Sequence, residues 1–226
     1  QPLLTLQQVE RVYNRLTTLP STASAYTLGG IVSGDVVTVD TSGLTGAYAD
    51  KNVGTGKNVT LFGLDITGAD AGNYSIASNL TDAPIGVITR ASVTLEGMLA
   101  LTKIYDGTTN LTLNNAGTEV VGTLLSDDLD VNSAGSSASF PSANVGNYLV
   151  NATGYVLTGA DANNYDLIQP TGISAVIDPK ALTALIINDP TKTYDGGTAA
   201  SLTGANFQIG GFITGEGADV TQTVGA

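Results

Sequence analysis

The chain repeats itself. K-I-Y-D-G-T-T-N-L-T-L, Lys103 to Leu113, returns 89 residues later as K-T-Y-D-G-G-T-A-A-S-L, Lys192 to Leu202. Tyr13, in R-V-Y-N-R-L-T-T, stands 92 residues before Tyr105. A second block, T-G-A-D-A-G-N-Y (Thr67 to Tyr74), reappears as T-G-A-D-A-N-N-Y (Thr158 to Tyr165) at a shift of 91. Asn52-Val53-Gly54 matches Asn144-Val145-Gly146 at 92, and Gly63 matches Gly154 at 91. Unrelated landmarks that move together constrain the fold strongly: it is a unit used in series. At the unit ends, Ile88-Thr89-Arg90 corresponds to Ile177-Asp178-Pro179, after which S-V-T-L (Ser92 to Leu95) and A-L-T-A-L (Ala181 to Leu185) open the next copy. The shifts divide the chain into a repeat over 1–88 with a degenerate corner motif, a full repeat over 89–177, and the first half of a third over 178–226.

Within a unit, strand follows strand. V-V-T-V (Val36 to Val39), N-V-T-L-F-G-L-D-I (Asn58 to Ile66), N-Y-S-I (Asn73 to Ile76) and I-G-V-I (Ile85 to Ile88) alternate apolar with polar or small residues and are rich in β-branched types. S-G-D, G-T-G, G-A-D-A-G-N and L-S-D-D-L-D supply the turns. Many short strands per unit predict an all-β chain of tandem immunoglobulin-like sandwiches, arranged as an extended rod. One segment allows two readings. Leu6, Val9, Val12 and Leu16 are spaced like a helix face, whereas the alignment of Tyr13 with Tyr105 argues for a strand. At the corner itself, Asp106-Gly107 between two alternating stretches predicts a two-residue type I′ hairpin, with the tyrosine as a packing or hydrogen-bonding anchor at the sandwich end. The first copy has Asn14-Arg15 there, and Arg disfavours the left-handed region that such a turn needs.

Composition removes whole classes of function. With neither histidine nor cysteine, the 226 residues cannot build a Ser-His-Asp or Cys-His site, a zinc site of the usual ligands, or a disulfide. A net charge of −12 repels phosphate backbones and anionic lipid, so nucleic acid is not an expected partner. No apolar run reaches the roughly 18 residues of a membrane span, so no membrane insertion is expected. Gln1-Pro2 is neither an initiator methionine nor a signal peptide, and the chain reads as a processed piece of a longer protein. The profile, rich in Gly, Thr, Ser, Asn and Asp and poor in Lys, Glu and Arg, leans towards an extracellular setting.

The Y-D-G corner, the segment A-Y-A-D-K-N-V-G-T-G-K-N-V-T-L (Ala47 to Leu61), the G-A-D-A-x-N-Y block and the exit I-D-P-K (Ile177 to Lys180) resemble the YDG repeats, near relatives of the mostly bacterial, glycine-rich repeats. The resemblance covers essentially the whole chain. It departs at Asn14-Arg15 and at Arg90, which stands where Pro179 does. Such repeats occur in tandem in large secreted bacterial surface proteins, including filamentous-haemagglutinin-like adhesins exported by two-partner secretion. The resemblance implies a stalk or adhesive repeat of a cell-surface adhesin or extracellular filament, whose partners are neighbouring repeats of the same or identical chains. It carries over no catalytic residue, and no enzyme is expected.

Three further sets of residues bear on function. Asp127, Asp128 and Asp130, in S-D-D-L-D, could ligate Ca2+ through carboxylate oxygens at a joint, although the spacing matches no EF-hand, and a solvated acidic loop is the plainer reading. Asn58, Asn73, Asn79, Asn110 and Asn151 head N-x-[ST] triplets that a chain of this composition also makes by chance. Tyr26, Tyr48, Tyr148 or Tyr155, taken as exposed, with neighbouring Asn and Asp, would serve an adhesion module that binds glycans, cell surfaces or another cell's copy of the same protein, the alternative to a spacer. A carboxylate pair for glycoside hydrolysis is the third reading, weakened by the absence of Trp and the presence of only 4 Phe. Finally, Thr223 to Ala226 align near Thr45 to Ala47, so the third copy lacks everything equivalent to Asp50 through Ile88. Alone it would leave Phe207, Ile209, Phe212 and Ile213 uncovered. It is read as part of a longer array, with a head-to-tail filament as the alternative.

Overall fold

The computed structural model describes residues 3–19, 26–76 and 79–221. Among them there is no α-helix; strands alternate with turns and three one-turn 3-10 segments, Ala71–Asn73, Ala162–Asn164 and Gly204–Asn206. The fold class is all-β, built from several small sheets. The C-terminal end of the third copy, including Thr223 to Ala226, lies outside the described residues.

Two compact units form. The first draws on Gln1–Glu96, Thr118–Ala134 and Tyr155–Gln169. Its largest sheet has four strands in the order Val9–Val12, Asn79–Thr89, Gly54–Phe62, Thr45–Tyr48. The first pair is parallel and the others antiparallel. Smaller sheets pair Leu3–Leu6 with Tyr26–Gly29, Thr38–Asp40 with Asp65–Thr67, and Asp130–Asn132 with Val156–Thr158. Ala91–Glu96 lies between Glu119–Val121 and Tyr165–Leu167. The core is one cluster that includes Val9, Tyr13, Tyr48, Val59, Leu61, Ile88, Val93 and Tyr165.

The second unit draws on Gly97–Gly117, Gly135–Gly154 and Pro170–Ala226. Ile173–Asp178 sits between Lys103–Ile104, parallel to it, and Gly146–Val150, antiparallel. The core is Phe140, Val150, Ala175 and Ile177, with Tyr105 and Tyr148 packed against it. Thr183–Ile186 pairs with Phe207–Gly210, yet no residue from 178 to 221 is buried. In this half copy Phe207, Ile209, Phe212 and Ile213 are partly covered, and the uncovered apolar residues are instead Leu182, Leu185 and Ile186.

The pairings recur at the shift read from sequence. Arg11 opposite Ile88 becomes Lys103 opposite Ile177, Gly54 opposite Ile88 becomes Gly146 opposite Ile177, and Thr38 opposite Thr67 becomes Asp130 opposite Thr158. Even the lone bridge Thr18 to Ala47 returns as Asn110 to Ser139. Gly63 and Gly154 show why a glycine is kept at that landmark. Each has positive φ, 76° and 84°, and an added Cβ would run into the carbonyl oxygen of Gly43 or Gly135.

The segment with two readings is a strand. Val9, Arg11 and Tyr13 point inwards at a period of two, while Val12 and Leu16 are 58% and 55% exposed, so the helical spacing marks no face. The corner differs from the hairpin expected. Asp106 has negative φ and only Gly107 is left-handed, at 76°. The strand that enters, Lys103–Ile104, pairs with Ile173–Asp178 and not with the strand that leaves. A type I′ turn needs positive φ at both central residues, and this one is closed by a side chain instead. Asp106 Oδ1 accepts from the Thr108 amide at 2.9 Å and from Lys103 Nζ at 2.6 Å. Asp195 does the same with the Gly197 amide, at 2.9 Å, and Lys192, at 2.7 Å. Asn14 holds the Leu16 amide at 3.0 Å. Arg15, at φ 69°, takes the same left-handed turn as Gly107 and Gly196, both at 76°. The first copy thus keeps the corner that its residues seemed to disfavour.

Candidate functional site

The corner presents its tyrosine to an acidic loop in the next copy. In the first unit, Asp127 follows Ser126, which has φ 68°, a turn that Gly34 makes in the first copy at 101°. The turn puts the Asp127 side chain fully out of solvent, 0% exposed. Its Oδ2 accepts two phenols: Tyr13 at 2.9 Å, from the preceding copy, and Tyr165 at 2.7 Å, from its own. The two rings meet edge to face, centroids 5.4 Å apart. Two cations of the preceding copy balance the charge. Arg15 Nε stands 2.7 Å from Oδ1, off the hydrogen-bond line, so the contact is Coulombic; Lys51 Nζ is at 3.7 Å. The Arg15 guanidinium also donates to the Leu125 carbonyl.

Around this centre the preceding copy grips a second loop. Lys51 reaches Asp161 Oδ1 at 3.2 Å. The Val53 amide donates to Oδ1 of the buried Asn164 at 2.9 Å, and Asn164 Nδ2 donates to Asn52 at 3.3 Å. Within the second copy itself, Arg90 donates to the Asn163 carbonyl at 3.0 Å. Two sequence landmarks, N-V-G and G-A-D-A-N-N-Y, are therefore the two faces of one joint. Titration reflects the packing. Burial, followed by the hydrogen bond to Asp127, pushes Tyr165 up to about 12 and raises Tyr13 as well. Asp161 is held below the usual carboxylate range, chiefly by the Asp128 amide that it accepts.

The second unit holds a smaller version. Tyr105 donates to Glu216, which stands at the position of Asp127 one repeat later, and this bond raises the phenol. Tyr194, the third corner tyrosine, is 93% exposed.

The structure places the sequence candidates as follows. Asp127 is committed to the phenols and cations. Asp128 Oδ2 accepts from the Ala160 amide at 3.0 Å, and Asp130 Oδ1 from the Val131 amide at 2.7 Å. Among the described residues no group of three or more His, Cys, Asp or Glu is placed to hold a metal ion. Tyr48 and Tyr155 are not exposed, as a binding surface would need, but 2% and 3% accessible. Each fills core: Tyr48 lies beneath the Arg11 guanidinium, 5.0 Å from its ring centre, with its hydroxyl on the Val9 carbonyl. Tyr148 is half-buried and its hydroxyl is used on the Asn144 carbonyl at 2.7 Å, while Tyr26 is half-buried. Asn58, Asn73, Asn110 and Asn151 are exposed; the Asn79 side chain lies outside the described residues. Sequence reasoning missed Arg15, Lys51, Asn164 and the Tyr13 hydroxyl as one set. The available signal was the acid at Asp35, Asp127 and Glu216, spaced by the repeat shift.

The YDG domain pattern matches residues 3–81 and again residues 89–173, more than half of the chain. The chain belongs to the YDG domain family. No curated protein and no solved structure matches it. In these two YDG domains the motif tyrosine is the donor of the joint, and the aspartate or asparagine after it shapes the corner.

Proposed function

We propose that these YDG domains form a spacer segment of a secreted bacterial surface adhesin or extracellular filament, in which domains in series hold an adhesive part away from the cell. The observation that carries this reading is the joint at Asp127. A charge is buried between consecutive copies and satisfied from both sides, an arrangement that fixes the angle of one domain to the next, and a spacer needs that more than it needs a pocket. Acidic, cysteine-free surfaces suit an oxidising, wet exterior. The reading assigns no catalytic group and no cofactor. The competing role, a glycan-binding surface, loses Tyr48 and Tyr155 to the core.

Two measurements test it. Brief protease treatment of intact cells of the source organism should release peptides of this chain; their appearance only after lysis would sink the extracellular assignment. Small-angle scattering of the chain should give an elongated particle, and a compact, folded-back one would remove the spacer.

A further inference from the structure

The receiving half of the joint occurs twice in the first unit, once filled and once open. In the filled copy, Tyr165 Oη accepts from the Leu124 amide at 3.1 Å and donates to Asp127, and Asp161 Oδ2 accepts from the Asp128 amide at 3.0 Å. One repeat earlier the same bonds are in place. Tyr74 Oη accepts from the Val32 amide at 2.9 Å and donates to Asp35 Oδ2 at 2.7 Å, and Asp70 Oδ2 accepts from the Val36 amide at 2.8 Å. The scaffold is therefore built before anything sits on it. What differs is cover. Leu124 is half-buried and Asn164 buried, whereas their counterparts Val32 and Asn73 are 64% exposed and open to solvent. Asp127 Oδ1 and Asp161 Oδ1 meet Arg15 and Lys51; Asp35 and Asp70 meet no cation among the described residues.

We propose that Val32, Asp35, Val36, Asp70, Asn73 and Tyr74 form a docking face for the Tyr-Asx-Gly corner of a YDG domain that precedes residue 1 in the same polypeptide. The occupant is specified by the chemistry. It brings a phenol to share Asp35, cations to offset two carboxylates, and an apolar edge over the two valines. Tyr13, Arg15 and Lys51 bring the phenol and the cations to Asp127, so a YDG domain already supplies them. Covalent linkage favours a preceding domain over a separate copy, because it converts docking into an intramolecular step with a millimolar-scale effective concentration. The inference rests on the serial-array reading above.

The test is a fusion in which residues 1–92 are placed directly before Gln1 of the whole chain, which keeps the register because Tyr13 and Tyr105 are 92 apart. Hydrogen exchange of the Val32 and Val36 amides is read by NMR. It should slow at least tenfold in the fusion relative to the single chain, and lose that gain with Asp35→Asn or with Tyr13→Phe in the added copy. The two changes together should do no more than either alone, since both break one contact. Asp35→Asn in the unfused chain, followed by its melt, checks that the first repeat stays folded. Unchanged exchange in the fusion, or strictly additive effects, overturns the docking face. So does a result in which only the unfused chain associates, concentration-dependently and through Asp35, since the occupant would then be a second copy. Release of the chain from intact cells is independent of all these outcomes, so the array reading can survive the failure of this one.

Discussion

Asp127→Ala is the sharpest perturbation available, because it removes the carboxylate that two phenols donate to and two cations face. The Tyr13 hydroxyl loses its partner in a site closed to water, while Tyr165 keeps the Leu124 amide as a donor to it but loses its own acceptor. Stranding a buried donor costs about 1 to 3 kcal/mol, and removing one member of a buried ion pair about 3 to 5 kcal/mol. Arg15 and Lys51 are 34% and 35% exposed, so water takes up their charge and the penalty falls to the low end. The carboxylate's own desolvation cost is also relieved. We expect a net loss of about 3 kcal/mol, which for a unit of this size lowers the melting temperature by on the order of 10 °C. Asp128→Ala and Asp130→Ala each give up one hydrogen bond, to the Ala160 and Val131 amides, at an exposed residue and should cost no more than about 1 kcal/mol. The assay is thermal and urea melting of all three variants with calcium and with chelator. A calcium site would make the three behave alike and would raise the melting point of the parent when calcium is added. Either result, or an Asp127→Ala protein that melts within about 2 °C of its parent, refutes the joint.

Gly154→Ala forces a Cβ into the Gly135 carbonyl at a left-handed residue and should destabilise the second unit by about 2 kcal/mol or more, seen as a lower urea midpoint. Alkaline titration should show a linked loss. Tyr165 and Tyr13 have folded pKa values above the unfolded value near 10, so their contribution is full below about pH 10 and is lost as pH rises through the folded values, which for Tyr165 is about 12. Tyr165→Phe should flatten the melting curve against pH over that window, and an unchanged slope would remove the linkage. On the acid side Asp106 is held down to about 2 by Lys103 and then by Thr108, so the corner's contribution is present above the unfolded value near 4 and is lost as pH falls towards 2. NMR of the Thr108 amide should report that titration, and a midpoint near 4 would mean that the Lys103 contact does not form in solution.

The repeat, its period and the all-β class could be read from the chain alone because each is local or periodic. Alternation of apolar and polar residues describes a strand, Gly-Asp-Asn clusters describe turns, and a landmark that recurs carries its surroundings with it. Only the tertiary structure separated coincidence from signal between Leu6 and Leu16. Strand pairing put Val9, Arg11 and Tyr13 inwards and left Val12 and Leu16 outside. It also turned the Asp-Gly corner from a hairpin into a side-chain-closed turn, since the partner of Lys103–Ile104 lies about 70 residues away at Ile177-Asp178 and no local rule names it. The fate of each tyrosine was likewise illegible. Tyr13, Tyr105 and Tyr194 occupy one position in the repeat, yet the first is buried on Asp127, the second donates to Glu216 and the third lies open. Burial depends on what the next copy brings to the corner, and a sequence read one unit at a time holds the donor and the acceptor without stating that they meet.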